Sequence, residues 1–175
     1  MMRLAAPVLA ATGALLLGGC QSAPPMKTVD YVDLDRFMGD WYVVANIPTF
    51  IEKGAHNAVE SYRLDDDGTI ATTFVFRKDS FDGKRKEYNP RAWVLDTDTN
   101  ARWGMRFVWP IKADYRVAWL NDDYSMTVIA RQDRDFVWIM ARTPEISDAD
   151  YEMLIDFVGS IGYDTSQIER VPQRW

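Results

Sequence analysis

Asp65-Asp66-Asp67-Gly68-Thr69-Ile70-Ala71-Thr72-Thr73-Phe74-Val75-Phe76-Arg77 decides how the chain folds. Its first four residues read as a tight hairpin turn: aspartate side chains bond back to nearby backbone, and glycine accepts a positive φ. From Thr69 onward the period is two, with Ile70, Phe74 and Phe76 on one face, the mark of a half-buried strand. The same period returns in 102–107, where Trp103, Met105 and Phe107 alternate with Arg102, Gly104 and Arg106. It returns again in 135–140, where Phe136, Trp138 and Met140 share a face and a second apolar face stands behind them.

Working outward, polar segments at 79–83, 96–100, 121–123 and 132–134 supply further turns. They divide the chain into strands at about 40–47, 57–64, 69–77, 86–95, 101–109, 114–120, 124–131 and 135–141. Eight sequential strands without intervening helices predict an all-β, eight-stranded antiparallel up-and-down meander, and closing it into a barrel removes the exposed edges. One C-terminal helix follows. Ser147 is its N-cap, Asp150 stands three residues on, and Tyr151, Leu154, Ile155 and Val158 recur at helical spacing. That apolar stripe belongs against the outside of the barrel. A short strand at about 167–171 is expected to close the edge.

Composition agrees with this architecture. The chain is 47% hydrophobic and 13% aromatic, enough for a large core and too apolar for disorder. The formal net charge of −6 argues against a phosphate-backbone partner, so no nucleic acid is expected. Residues 1–19 do not read as fold. Arg3 precedes an apolar run from Leu4 to Leu17, and Gly18, Gly19 and Cys20 follow, the layout of a removable export signal. Residues 20–30, small and polar with Pro24 and Pro25, read as a tether, leaving 31–175 as the barrel domain. Cys20 is the only cysteine, which excludes an intramolecular disulfide.

Alternation also proposes a lumen. Inward-facing residues are Trp41, Val43 and Ala45; Ala58, Glu60 and Tyr62; Ile70, Thr72, Phe74 and Phe76; Ala92 and Val94; Trp103, Met105 and Phe107; Val117 and Trp119; Met126, Val128 and Ala130; and Phe136, Trp138 and Met140. Such a lining suits a hydrocarbon chain, with methionine for adaptability. It equally suits side chains that simply pack one another. Glu60 is the misfit, because a carboxylate in an apolar lumen is costly unless paired or protonated.

Three motifs carry a resemblance. Gly39-Asp40-Trp41-Tyr42 opens the first strand and is similar to the G-x-W signature of the lipocalins. Asn121-Asp122-Asp123-Tyr124 resembles the second lipocalin motif, usually Thr-Asp-Tyr, with Asp122 in place of the threonine. Trp138 to Pro144 resembles the third, in which an arginine, here Arg142, packs across the G-x-W tryptophan. Leu17-Gly18-Gly19-Cys20 resembles the lipobox of bacterial lipoproteins. The chain thus resembles the bacterial lipocalin subgroup of outer-membrane lipoproteins.

The resemblance implies a diacylglycerol on Cys20 and a body in the periplasm, with Gln21 favouring outer-membrane sorting. It implies a fatty acid or lysophospholipid ligand in the barrel, for storage or transport in the envelope, and allows a homodimer. It casts Gly39, Trp41, Asp123, Tyr124 and Arg142 as structural, and leaves Tyr62, Phe74, Met105, Phe107, Trp119, Trp138 and Met140 to touch lipid. Other readings stay open: a ligand-free interaction or envelope-maintenance module with a packed barrel, or a tetrapyrrole carrier using His56. Catalysis and metal binding find little support. There is no G-x-S-x-G elbow, and one histidine with one cysteine makes no ligand cluster. Neither an enzyme nor a cofactor is expected.

Overall fold

The computed structural model describes the backbone of residues 24–108 and 111–175; of the side chains within these, 107–108 and 111–112 are not described. The export-signal reading of 1–19 and the lipidation of Cys20 therefore lie outside the described residues.

Ten strands form one antiparallel sheet: β1 (Gly39–Ile47), β2 (Ala55–Leu64), β3 (Thr69–Lys78), β4 (Arg85–Tyr88), β5 (Arg91–Val94), β6 (Arg102–Val108), β7 (Ile111–Leu120), β8 (Met126–Ala130), β9 (Val137–Ala141) and β10 (Glu169–Arg170). β1 pairs with β2 and also with β9, so the sheet closes on itself. The fourth expected strand, 86–95, is broken into β4 and β5, both of which pair with β3. Pro90 lies at the break; it has no N–H to give a ladder, and its carbonyl instead accepts Thr72 N–H at 3.1 Å. Counting β4 and β5 as one rung gives the eight-stranded barrel, with β10 as an addition on the edge of β1.

β2 follows β1 only as far as Tyr42–Val59. The edge then left open on β1 is taken by the C-terminal segment: Val171 N–H donates to Val44 C=O at 3.0 Å, and Gln173 Nε2 donates to Val43 C=O at 2.8 Å. Among the described residues two α-helices and a 3-10 turn (Thr165–Gln167) complete the fold. α1 (Leu34–Phe37) is a single turn capped by Asp33 just before β1. α2 (Asp148–Ser160) is capped by Ser147, whose Oγ accepts Asp150 N–H at 3.1 Å.

The core has two halves. The inner one fills the barrel and includes Phe37, Trp41, Tyr62, Phe74, Trp103, Tyr115 and Met140. The outer one lies under α2, where Leu154 and Val158 bury against Val44, Ala45, Val128, Ala130, Val137 and Ile139. This assignment corrects the expected lumen in three strands. The β1 ladder shifts between Val43 and Ala45, which turns Ala45 outward. The β7 ladder shifts between Val117 and Trp119, so Val117 faces the lumen while Trp119 packs into the outer core. In β8, Ile129 is the inward residue, and Met126, Val128 and Ala130 face the outer core with Phe136.

The tether is also shorter than expected. From Pro24 the chain lies along the barrel wall: Arg134 donates to Pro24 C=O at 2.9 Å, Met26 N–H to Gln132 Oε1 at 2.9 Å, and Val29 N–H to Val117 C=O at 3.0 Å.

Candidate functional site

The barrel has one sealed end, built on Arg142. Its guanidinium carbon stands 3.8 Å above the Trp41 ring. Its nitrogens donate to the Tyr124 carbonyl at 3.3 Å and to four main-chain carbonyls of the α1–β1 junction: Asp40 at 2.7 Å, Arg36 at 2.8 Å, Met38 at 2.9 Å and Phe37 at 3.0 Å. Those four carbonyls are the ones α1 and the start of β1 leave without helical partners, so one rigid fork satisfies a whole chain reversal. Trp41 Nε1 also donates to Phe37 C=O at 2.9 Å. Gly39 takes a φ of +92°, which lets the chain turn from α1 into β1 beside the guanidinium.

The altered second motif fits this end through its backbone. Asp122 C=O accepts Arg36 Nη2 at 2.8 Å, so the side chain at 122 is free to vary. Asp123 Oδ1 accepts Ser125 N–H at 3.0 Å and holds the turn. Tyr124 Oη accepts Asp33 N–H at 2.9 Å, and Arg36 lies 4.0 Å over its ring.

Above the seal the lumen is aromatic. Phe37, Trp41 and Trp103 meet at ring separations of 5.0 and 5.4 Å, and Trp103 stacks on Tyr115 at 4.9 Å. Glu60 is buried in this setting, donated to by the Tyr62 hydroxyl, which itself lies 2.7 Å from the Tyr115 hydroxyl. Burial pushes the Glu60 carboxyl up to about 7, against the pull of the Tyr62 hydrogen bond and with a further push from Glu52. Burial likewise holds both tyrosines well above the usual phenol range.

At the other end the loop joining β1 and β2 brings in a second buried carboxylate. Glu52 Oε1 accepts the Trp138 indole N–H at 2.6 Å, and its Oε2 accepts Thr49 N–H at 3.0 Å. Against Glu60 is a cavity of about 20 Å³, lined also by Met105, Ala113, Asp114, Tyr115 and Trp138, which is room for one water molecule.

Of the residues expected to touch lipid, Tyr62, Phe74, Met105, Trp138 and Met140 belong to the inner core. Trp119 does not; it stands on the α2 side. The Phe107 side chain is not described. Tyr115, Phe37 and Glu52 escaped the sequence reading, besides Ile129. Tyr115 shares the parity of Val117 and was legible. Phe37 and Glu52 lie outside the alternating strands, where periodicity gives no signal. His56 has an ordinary surface role, with Nδ1 3.1 Å from Gly54 C=O and its ring against Phe81. Among the described residues no cluster of His, Cys, Asp and Glu is arranged to hold a metal ion.

A closed antiparallel barrel, sealed at one end by tryptophan under arginine and flanked by one helix, defines a lipocalin. The lipocalin-like domain family matches residues 32–173, and the chain belongs to it. It is 30% identical to the outer membrane lipoprotein Blc of Escherichia coli (strain K12), with 98% of each chain covered. It is 29% identical to temperature-induced lipocalin-1 of Arabidopsis thaliana over 85% of this chain and 83% of that one. In structure it is similar to insecticyanin of the tobacco hornworm Manduca sexta, with a TM-score of 0.66 at 17% identity and 85% of each chain covered.

Proposed function

We propose that this lipocalin is a lipid-anchored protein of the bacterial outer membrane that holds one single-chain lipid, a fatty acid or a lysophospholipid, for storage or transport in the envelope. The observation that carries the ligand reading is the asymmetry of the lumen. One end is fixed by hydrogen bonds to backbone. The other is closed by side chains, Met105 and Trp138 among them, around the small cavity. Methionine repacks at little cost, and an indole held by one hydrogen bond can swing aside. Burying a chain of about sixteen carbons contributes on the order of 10 kcal/mol before ordering costs. Binding, not catalysis, is the activity this site supports.

The location rests on Leu17-Gly18-Gly19-Cys20 and on kinship with the outer membrane lipoproteins named Blc. The whole chain, expressed in a bacterium, is expected to carry a diacylglycerol-sized mass increment that Cys20→Ser removes; an unmodified wild-type mass would refute the anchor. For the ligand, residues 21–175 are taken through native and denaturing mass spectrometry, then delipidated and titrated. A lipid-sized excess on the native ion, or micromolar binding of lysophospholipid or fatty acid probes, supports the reading. Absence of both would favour the second reading, a packed barrel acting as an interaction module, for which the 20 Å³ cavity is the supporting observation.

A further inference from the structure

The polar cluster deep in the lumen is unexplained by a purely apolar ligand. Glu60 is 5% exposed and Thr72 2% exposed, in a barrel otherwise lined by hydrocarbon. Thr72 stands directly opposite Tyr62 across the β2–β3 ladder, on the same inward face of β3 as Ile70 and Phe74. Its Oγ1 is buried and has no hydrogen-bond partner. Leaving such a hydroxyl unpaired is costly, so its place opposite Tyr62 of the Glu60–Tyr62–Tyr115 chain points to a partner that arrives from outside. The cavity against Glu60 and Tyr115 is where that partner would first meet the cluster.

The charges around the cluster decide what the partner is. Tyr62 shares β2 with Glu60; Tyr115 and Asp114 face it from β7, and Glu52 from the β1–β2 loop. Asp114 is already paired with Arg116 at 2.7 Å. Arg142 lies beyond Trp41 and is occupied by backbone carbonyls. Among the described residues no lysine, arginine or histidine forms an ion pair with Glu60. A carboxylate with no counter-cation among the described residues, set among tryptophan, tyrosine and phenylalanine faces, is suited to receive a hydrogen-bond donor and to refuse an anion.

We propose that Glu60, Tyr62, Thr72 and Tyr115 form a subsite for the donor-bearing polar end of an amphiphile, an ammonium or a hydroxyl. This rests on the reading that the barrel takes a single-chain lipid, and it ranks the candidates. Chains ending in ammonium bind best, chains ending in glycerol hydroxyls next, and an ionised fatty acid worst.

The test uses delipidated 21–175 and a neutral fluorescent probe, N-phenyl-1-naphthylamine, displaced by twelve-carbon ligands matched in chain: dodecylamine, monolaurin and laurate. At pH 8 dodecylamine should displace the probe at least about tenfold more tightly than laurate, the ratio expected of one charge-assisted hydrogen bond. Monolaurin, a hydroxyl donor without charge, should fall between them. At pH 5.5, below the raised Glu60 value of about 7, laurate should recover. Glu60→Gln should erase the preference at pH 8 by strengthening laurate binding, a gain that an unfolded variant cannot show. Thr72→Val should weaken monolaurin alone. Laurate equal to or better than dodecylamine at pH 8, with the probe bound normally, overturns the subsite and leaves the lipid reading intact. Failure of the probe and of all three ligands to bind overturns both.

Discussion

The two ends of the barrel solve the same problem, closing a ring of strands, by opposite means. At the sealed end one cation is matched to five backbone carbonyls and an indole face, and nothing there can move without breaking several hydrogen bonds together. At the other end the closing groups are side chains, with the carboxylate of Glu52 buried among them, while Glu60 lies deeper, opposite Trp41 across the β1–β2 ladder. Backbone closure is rigid and independent of pH. Side-chain closure can be displaced. A barrel that admits a ligand through one entrance needs one end of each kind.

That contrast breaks most readily at the seal. Trp41→Ala removes a fully buried indole from the centre of the inner core and should cost about 3–5 kcal/mol, read from chemical or thermal unfolding. An unchanged midpoint would mean that α1 and Arg142 close the end without it.

Glu60 should give the next effect, inside the lumen above the seal. Its folded value of about 7 lies above the 4.5 of an unburied glutamate, so the folded state binds more protons across that window. Stability should be greatest below about pH 4.5 as far as this group is concerned, fall as pH rises toward 7, and level off above it. A shift of this size corresponds to a loss of about 3 kcal/mol. Unfolding measured between pH 5 and 8 should show the decline, and Glu60→Gln should flatten it. A wild-type profile as flat as the variant's would place Glu60 in contact with water.

The same contrast explains what the sequence made legible. The seal was readable because its parts are local and particular: Gly39-Asp40-Trp41 at a strand start, Arg142 at a strand end, and a turn whose side chains bond its own backbone. β2 and β3 were readable because one face meets water, so alternation has a sign: Ala58, Glu60, Tyr62, Ile70, Thr72, Phe74 and Phe76 all point inward as expected. β8 was not, because α2 buries its outer face and both parities are apolar: Val128, Ile129 and Ala130 offer no contrast, and Phe136 just before β9 was misplaced, while Trp138 and Met140 of β9 point inward as expected. Trp119 was misplaced for a different reason. A bulge adds one residue to β7, and nothing in Val117-Ala118-Trp119 announces it. The break at Pro90 was in plain sight, since proline cannot sustain a ladder. Glu52 reaches the mouth from a loop, and its position follows from tertiary contact alone.

Gly39→Ala should have a smaller effect at the sealed end. A methyl group there would meet Arg142 Nη1 at 3.5 Å, an ordinary contact, so space is not the obstacle; the φ of +92° is. Strain of that kind costs about 1–2 kcal/mol, and because the guanidinium bonds are untouched, the loss should appear in stability with ligand binding unchanged.

The smallest expected effect is the sharpest test of the open end. Glu52→Gln keeps the shape of the side chain and one acceptor oxygen, but it presents an amide NH₂ where the carboxylate accepted either Trp138 Nε1–H or Thr49 N–H. One of the two bonds is lost, and stability should fall by about 1 kcal/mol. The variant also removes one of the influences that raise Glu60. The pH profile of unfolding should therefore shift to lower pH, and Trp138, less firmly held, should let a lumenal probe enter and leave faster. The two consequences come from one substitution by different routes, one electrostatic and one through a hydrogen bond. A shifted profile with unchanged probe kinetics would show that the carboxylates are coupled but that Trp138 does not guard the entrance. Faster exchange with an unshifted profile would show a guarded entrance with Glu60 screened from it. Only if both change does the mouth work as a unit, in contrast to the seal at the other end.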